Sequence, residues 1–326
     1  MKNLTFLFLF SAVVLTAFSG CKNNEPAKPE PINEFKIDSL TVENFPKIDG
    51  STSNAPLIGI IVCKLLGWTY KWEDGYIGIR HIRPDNMGDV PYTTFADLSG
   101  TSETHNAIWN LIDGRVDIIL SARKISTDEQ QYADNKSVSL IETPIALDAF
   151  VFLVNANNPV NSLTHNQITD IYTGKIANWQ EVGGRNAAMH PYVRNQNSGS
   201  QELMESLVMQ GTPIADFDVD YEPSIFGMFP VYQTLANDEN GICYIVYYFH
   251  EKMVVDEYKN KLKMLAINGK QPNSTNIRSG AYPYISPVYA SIRSNLDTNS
   301  NAYKLYELLQ TKAGKAVIEE SGYVVE

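Results

Sequence analysis

Arg194, Ser198, Gly199 and Ser200 share one run, Arg194-Asn195-Gln196-Asn197-Ser198-Gly199-Ser200, continued directly by Gln201-Glu202-Leu203-Met204. The run reads as a strand end, a tight polar turn and the first turn of a helix. Ser198 with Gln201 three residues on has capping-box spacing. Leu203, Leu207 and Val208 supply an apolar stripe, and Gly211 stops the helix. Such a start brings unpaired backbone N–H groups, two hydroxyls and the positive end of a helix dipole to one place, which suits an oxyanion. Arg194 adds a guanidinium fork able to grip it with two bonds. A capped helix with a surface arginine would use the same residues, so the rest of the chain has to decide.

Two further helix starts carry the same chemistry. Ser51-Thr52-Ser53 precedes Pro56, Leu57, Ile60, Ile61 and Leu65, with a stop at Gly67; Ser53 is placed as N-cap and Pro56 in the first turn. Ser99 to Thr104 leads into Ile108, Leu111 and Ile112, ending at Gly114. The apolar strand Val116 to Leu120 then runs into Ser121, Ala122 and Arg123, followed by Ser126 and Glu129 at capping-box spacing. Thr164 with Gln167 caps another helix, closed by Gly174. The runs 145–155 and 242–249 are the most strand-like. Residues 68–97 read as loops with short strands, and amphipathic helices near 302–309 and 314–320 end the chain. Strands alternating with helices predict an α/β fold with mainly parallel, mixed sheets. The helix starts then converge at the carboxyl ends of the strands.

Ahead of these elements, Lys2, an apolar run from Leu4 to Phe18 and Ser19-Gly20-Cys21 predict a lipoprotein signal over residues 1–20, with Cys21 lipidated. The run is short for a membrane span. Residues 21–36, with Pro26, Pro29 and Pro31, read as a flexible linker. About 290 residues remain, enough for two lobes. The formal charge is −11, and loss of residues 1–20 removes one lysine to give −12. That balance argues against nucleic acid or an anionic membrane face as partner. Cys63 and Cys243 lie in apolar contexts and read as buried thiols, with a disulfide between them left open. No Cys/His cluster has metal-ligand spacing, and no cofactor is expected.

The block Asn166 to Trp179, then Val182-Gly183-Gly184, then Arg194 to Ser200 resembles the phosphate-binding proteins of bacterial ABC importers, in the periplasmic-binding type II superfamily. The resemblance covers nearly all of residues 45–326. Weaker matches are Gly50 to Ser53, Val116 to Ile125, Gly280-Ala281-Tyr282-Pro283 and Gly322-Tyr323. It implies two α/β lobes, residues 37–147 with 248–326 and residues 148–247, joined by two crossing strands, with phosphate between them. By motif, ligand contacts fall on Ser53, Thr104, Ser121, Arg194, Ser198, Gly199 and Ser200, with Ser51, Thr52 and Arg123 as further candidates. The implied partners are a phosphate-like oxyanion, an ABC permease and, through the Cys21 lipid, a membrane, on the periplasmic or extracellular side; the chain is expected to act as a monomer.

The chain departs from the family pattern in three places. Many members carry an Asp after the Ser121 position, which accepts the proton of hydrogen phosphate and rejects fully ionised sulfate. Here Ala122 stands there, and Asp148 on the first crossing strand is the candidate substitute, with a hinge hydrogen bond as its other reading. Ser200 replaces a more usual Thr and keeps the hydroxyl, and the stretch between Ser53 and Thr104 is longer than usual. A non-enzymatic receptor for an importer is the leading expectation, a sensor or scavenger of the same fold the alternative. A hydrolase is disfavoured: Ser198 lacks the Gly-x-Ser-x-Gly setting, no His is placed as its base, and metal ligands do not cluster.

Overall fold

The run from Leu140 to Asn155 is rich in Val, Phe and Leu and forms one strand of 16 residues, roughly 50 Å of extended chain. Phe150 to Val154 are fully buried on both faces, so this stretch lies inside the protein rather than along its surface. The computed structural model describes residues 34–75, 77–217 and 219–326; the expected signal sequence, Cys21 and the expected linker up to residue 33 lie outside the described residues.

Seven strands make the main sheet: β1 (Ile48–Gly50), β2 (Ile118–Ser121), β3 (Leu140–Asn155), β4 (His190–Pro191), β5 (Gly241–Val246), β6 (Leu262–Met264) and β7 (Ile285–Arg293). Their order is β1-β2-β7-β3-β5-β4, with β6 also on β3. The long strand changes partners along its length. Residues 140–149 pair with β7, residues 150–154 with β5 and residues 153–155 with β6. Helices flank both parts, and the fold is a two-lobed α/β arrangement in which β3 crosses from one half-sheet to the other.

The expectation of mainly parallel sheets is corrected here. Among the described residues of this sheet β1 pairs with β2, and β4 with β5, in parallel; the other four pairings are antiparallel. The cause is the crossing itself. β5, β6 and β7 each come back along β3, so the strand that joins the halves meets its neighbours head to tail. The expected division also put residues 248–326 in one lobe, yet β6 pairs with the far end of β3 and Ala266–Ile267 pairs with Ser162–Leu163.

Four helices carry the candidate site: α1 (Ala55–Leu66), α2 (Thr104–Ile112), α3 (Thr127–Asn135) and α4 (Gly199–Leu203). Leu57, Ile58, Ile60 and Ile61 of α1 are fully buried, each worth about 1.5–3 kcal/mol of apolar burial, and this anchors the turn that precedes them. That turn is a 3-10 turn over Thr52–Asn54, which moves the N-cap from the expected Ser53 to Asn54. Pro56 does lie in the first turn, and Gly67 ends the helix at φ 71°. α4 is short and continues as a π-helix, Met204–Met209. Residues 68–97 hold a hairpin of Tyr70–Asp74 with Arg80–Pro84, and also an unexpected helix, Tyr92–Ser99. Cys63 and Cys243 are free and buried, and burial raises both thiols to about 12.

Candidate functional site

β1 ends in Gly50 because the chain passes too close to β2 for any side chain: a β-carbon there would lie 2.5 Å from the Leu120 carbonyl oxygen. Beyond it, the Ser51 N–H donates to that same carbonyl at 2.9 Å. The Ser51 hydroxyl accepts from the Ala122 N–H at 2.9 Å and meets the Thr104 hydroxyl at 2.8 Å. Three chain segments are thus tied at one point, with the hydroxyls of Ser51, Thr52, Ser53 and Thr104 around one wall of a cavity of about 240 Å³.

The Asp49 carboxylate holds the loop before Thr104 in place. It accepts from the N–H groups of Gly50 and Ser102, from the Ser102 hydroxyl at 2.6 Å and from the Asn110 amide at 2.9 Å. At the other end of the wall, the Tyr323 hydroxyl donates to the Ser53 carbonyl and accepts from the Asn54 amide. Its ring stacks on Tyr248 at 3.7 Å, beyond the end of β5.

Arg194 forms the opposite wall. Its backbone N–H donates to the Gln201 side chain and the Tyr244 hydroxyl, and its Nε donates to the Ile225 carbonyl at 3.1 Å. The side chain is 4% exposed, yet Nη1 is buried without a hydrogen-bond partner among the described residues. Burial pushes the guanidinium below its usual range. Beside it, Ser198, Gly199 and Ser200 present the start of α4 to the cavity. The Ser198 hydroxyl accepts from the Gln201 N–H at 3.1 Å. Only that half of the expected capping box forms, because Arg194 and Tyr244 claim the Gln201 oxygen. The remaining wall is apolar, with Ile79, Met228, Phe229, Pro230, Val246 and Phe249. An unpaired buried cation, hydroxyls and free N–H groups in a partly dry pocket make a receptacle for an anion.

Eight expected site residues line this cavity: Ser51, Thr52, Ser53, Thr104, Arg194, Ser198, Gly199 and Ser200. Three do not. The Ser121 hydroxyl donates to the Arg123 carbonyl. Arg123 turns away and grips Glu129 with two bonds at 2.8 Å. Burial alone would raise the Glu129 carboxyl, but the Arg123 fork holds it below the usual range. Asp148 is 1% exposed at the crossing, where it accepts from the N–H groups of Ala149 and Tyr248. Burial raises its pKa to about 7 against those two bonds. It stands on the crossing strand β3, outside the cavity lining. Asp49, Glu103 and the apolar wall were missed, and Tyr323 entered only as a weaker family match. Asp49 and Tyr323 act across more than fifty residues of chain, where local spacing gives them no role.

A description of known relatives fits this geometry. Residues 98–311 match the family described as the PBP superfamily domain. Protein SphX of Synechococcus elongatus is 28% identical over 239 residues, 69% of this chain and 67% of that protein. The phosphate-binding protein PstS of Staphylococcus saprophyticus is 28% identical over 236 residues, 69% of this chain and 70% of that one. Among solved structures, a Clostridium perfringens protein with bound phosphate superposes with a TM-score of 0.59 at 22% identity, over 86% of this chain and 98% of that one. An ABC-type phosphate transport receptor from Vibrio cholerae gives 0.58 at 21%, over 86% and 99%. At these identities the two structures speak for the fold.

Proposed function

This chain belongs to the PBP superfamily, and we propose that it is a solute-binding protein that captures phosphate, or a related oxyanion, for an ABC importer. The observation that carries this reading is Arg194: a buried guanidinium whose Nη1 lacks a partner among the described residues, facing a cavity lined by Ser and Thr residues. A buried charge is unfavourable without a counter-ion, so the site favours an anion beside Arg194. The relatives named for phosphate binding support phosphate as the ligand.

In this reading Arg194 supplies the charge, while Ser198, Gly199 and Ser200 offer the N–H groups and hydroxyls at the start of α4. Ser51, Thr52, Ser53 and Thr104 close the other side. Ser121 and Arg123 shape the wall from behind it, and Asp148 ties the two crossings. Delivery to a permease, a monomeric state and a membrane anchor through Cys21 belong to the same proposal. In this reading the site binds rather than reacts, with the Ser198 hydroxyl serving as a cap that accepts from the Gln201 N–H.

Calorimetric titration of the full-length protein with phosphate, arsenate, sulfate and molybdate tests the reading. Saturable binding of phosphate is expected, and no heat with any of the four would sink it.

A further inference from the structure

Ile79 sits at the tip of the hairpin of Tyr70–Asp74 with Arg80–Pro84, in the long stretch between Ser53 and Thr104. Packing and backbone bonds fix this tip. Ile79 bridges to Val254, and the Val255 N–H donates to the Gly78 carbonyl at 3.1 Å. Gly78, at φ 83°, lies so close to Tyr258 and Phe229 that a β-carbon would fall 2.7 and 2.9 Å from their rings. Ile79 is thereby held against the cavity, on the same apolar wall as Met228, Phe229 and Phe249.

That wall decides which ligand fits. Arg194 and the Ser and Thr residues make two walls of the cavity, while Ile79, Met228, Phe229, Pro230, Val246 and Phe249 bring only carbon and a thioether to the third. An ionised oxygen turned toward it gives up water and gains no side-chain donor, a loss that a carbon substituent avoids. A groove of about 290 Å³ adjoins the cavity of about 240 Å³, and Thr52 and Ile79 line both. Pro56, Gly59, Ile82, Phe95 and Met253 also line the groove. Three of its polar side chains are engaged elsewhere: Arg80 pairs with Asp74, His81 lies 3.6 Å from Glu73, and the Ser99 hydroxyl donates to the Phe95 carbonyl. Cavity and groove together reach the scale of small organic-ligand pockets, roughly 300–1,000 Å³, rather than that of a five-atom ion.

Resting on the proposed oxyanion site, we propose that this site takes an organic phosphoryl ligand, a phosphonate or phosphate monoester with an apolar substituent. The terminal phosphoryl oxygens face Arg194, the start of α4 and the hydroxyls of Ser51 to Ser53 and Thr104. The fourth corner of the tetrahedron carries the substituent, whose carbon lies along Ile79, Met228 and Phe229 toward the groove beside Phe95. Inorganic phosphate fits the polar walls and leaves the apolar one bare. A wall that serves packing alone gains nothing from a substituent.

The test is calorimetry on the full-length protein with inorganic phosphate and with methyl-, ethyl- and butylphosphonate. Affinity should rise about two- to four-fold for each methylene added, the scale of moving one from water to an apolar surface. Ile79→Ser and Met228→Ser change half-buried positions, where serine should not disturb the core. In both variants the gain per methylene should fall below about two-fold. Affinities that stay level or drop from methyl- to butylphosphonate would overturn the proposal, as would a gain unaltered in both folded variants. In either case binding of inorganic phosphate leaves the oxyanion reading standing. A protein that binds neither phosphate nor any phosphonate removes both.

Discussion

Gly199 at the start of α4 stands so close to Thr104 at the start of α2 that a β-carbon on it would lie 2.6 Å from the Thr104 hydroxyl oxygen. One helix start packs with the β5 half of the sheet and the other with the β1 half. Their contact brings the two walls of the cavity together.

Gly199→Ala puts a methyl group into that contact. Alanine suits the first turn of a helix, so the variant should fold. The overpacking, about 1–3 kcal/mol, falls on the arrangement in which the two helix starts touch and both walls reach the ligand. Phosphate affinity should drop by about five-fold or more. An unaltered affinity would show that this contact plays no part in capture.

Arg194→Met separates charge from packing. Truncating one member of a buried charge pair typically costs about 2–5 kcal/mol of binding, so phosphate affinity should fall by that order. Without ligand the variant should be as stable as the wild type or more so, because an uncompensated buried cation has gone. Thermal melts with and without phosphate measure both effects. A variant that loses stability while keeping affinity contradicts the assignment.

Arg123→Ala should do the reverse. It leaves the fully buried Glu129 without its guanidinium, a loss of about 3–5 kcal/mol in folding stability. Under conditions where it remains folded, phosphate affinity should stay within a few-fold of wild type. A large affinity loss in a stable protein would place Arg123 at the ligand.

Asp148 links pH to stability. Its native pKa, about 7, is raised above the unfolded value, so its contribution is full below about pH 4 and is lost as pH rises through 7. The span is on the order of 4 kcal/mol. Asp148→Asn keeps an acceptor for the Tyr248 N–H and does not ionise. Denaturant unfolding from pH 4 to 8 should show wild type weakening relative to the variant. Parallel pH profiles would mean the carboxylate is not the titrating group.

Local spacing was enough to find most of the helix starts. Pro56, Gly67, the Thr164–Gln167 box, Gly114 and Gly174 mark their elements as expected, and Ser51 to Ser53, Thr104, Ser198 and Ser200 at the starts of α1, α2 and α4 line the cavity. Those signals lie within a few residues of one another, where backbone geometry and hydrogen-bond reach are fixed by the chain itself. The resemblance carried by residues 166–200 added the two-lobed fold.

Tertiary structure decided which charged groups face the ligand. Arg123 and Arg194 look alike in sequence, each beside a serine and a helix start. Glu129, brought within 2.8 Å by the turn at Ser126, captures the first, while the second is left with Nη1 free. Asp148 and Glu103 divide in the same way: the crossing of β3 buries one among backbone N–H groups, while the other follows Ser102, which Asp49 binds, at the cavity lining. A charged side chain takes the best partner within reach, and at these positions that partner is fixed by how distant segments pack.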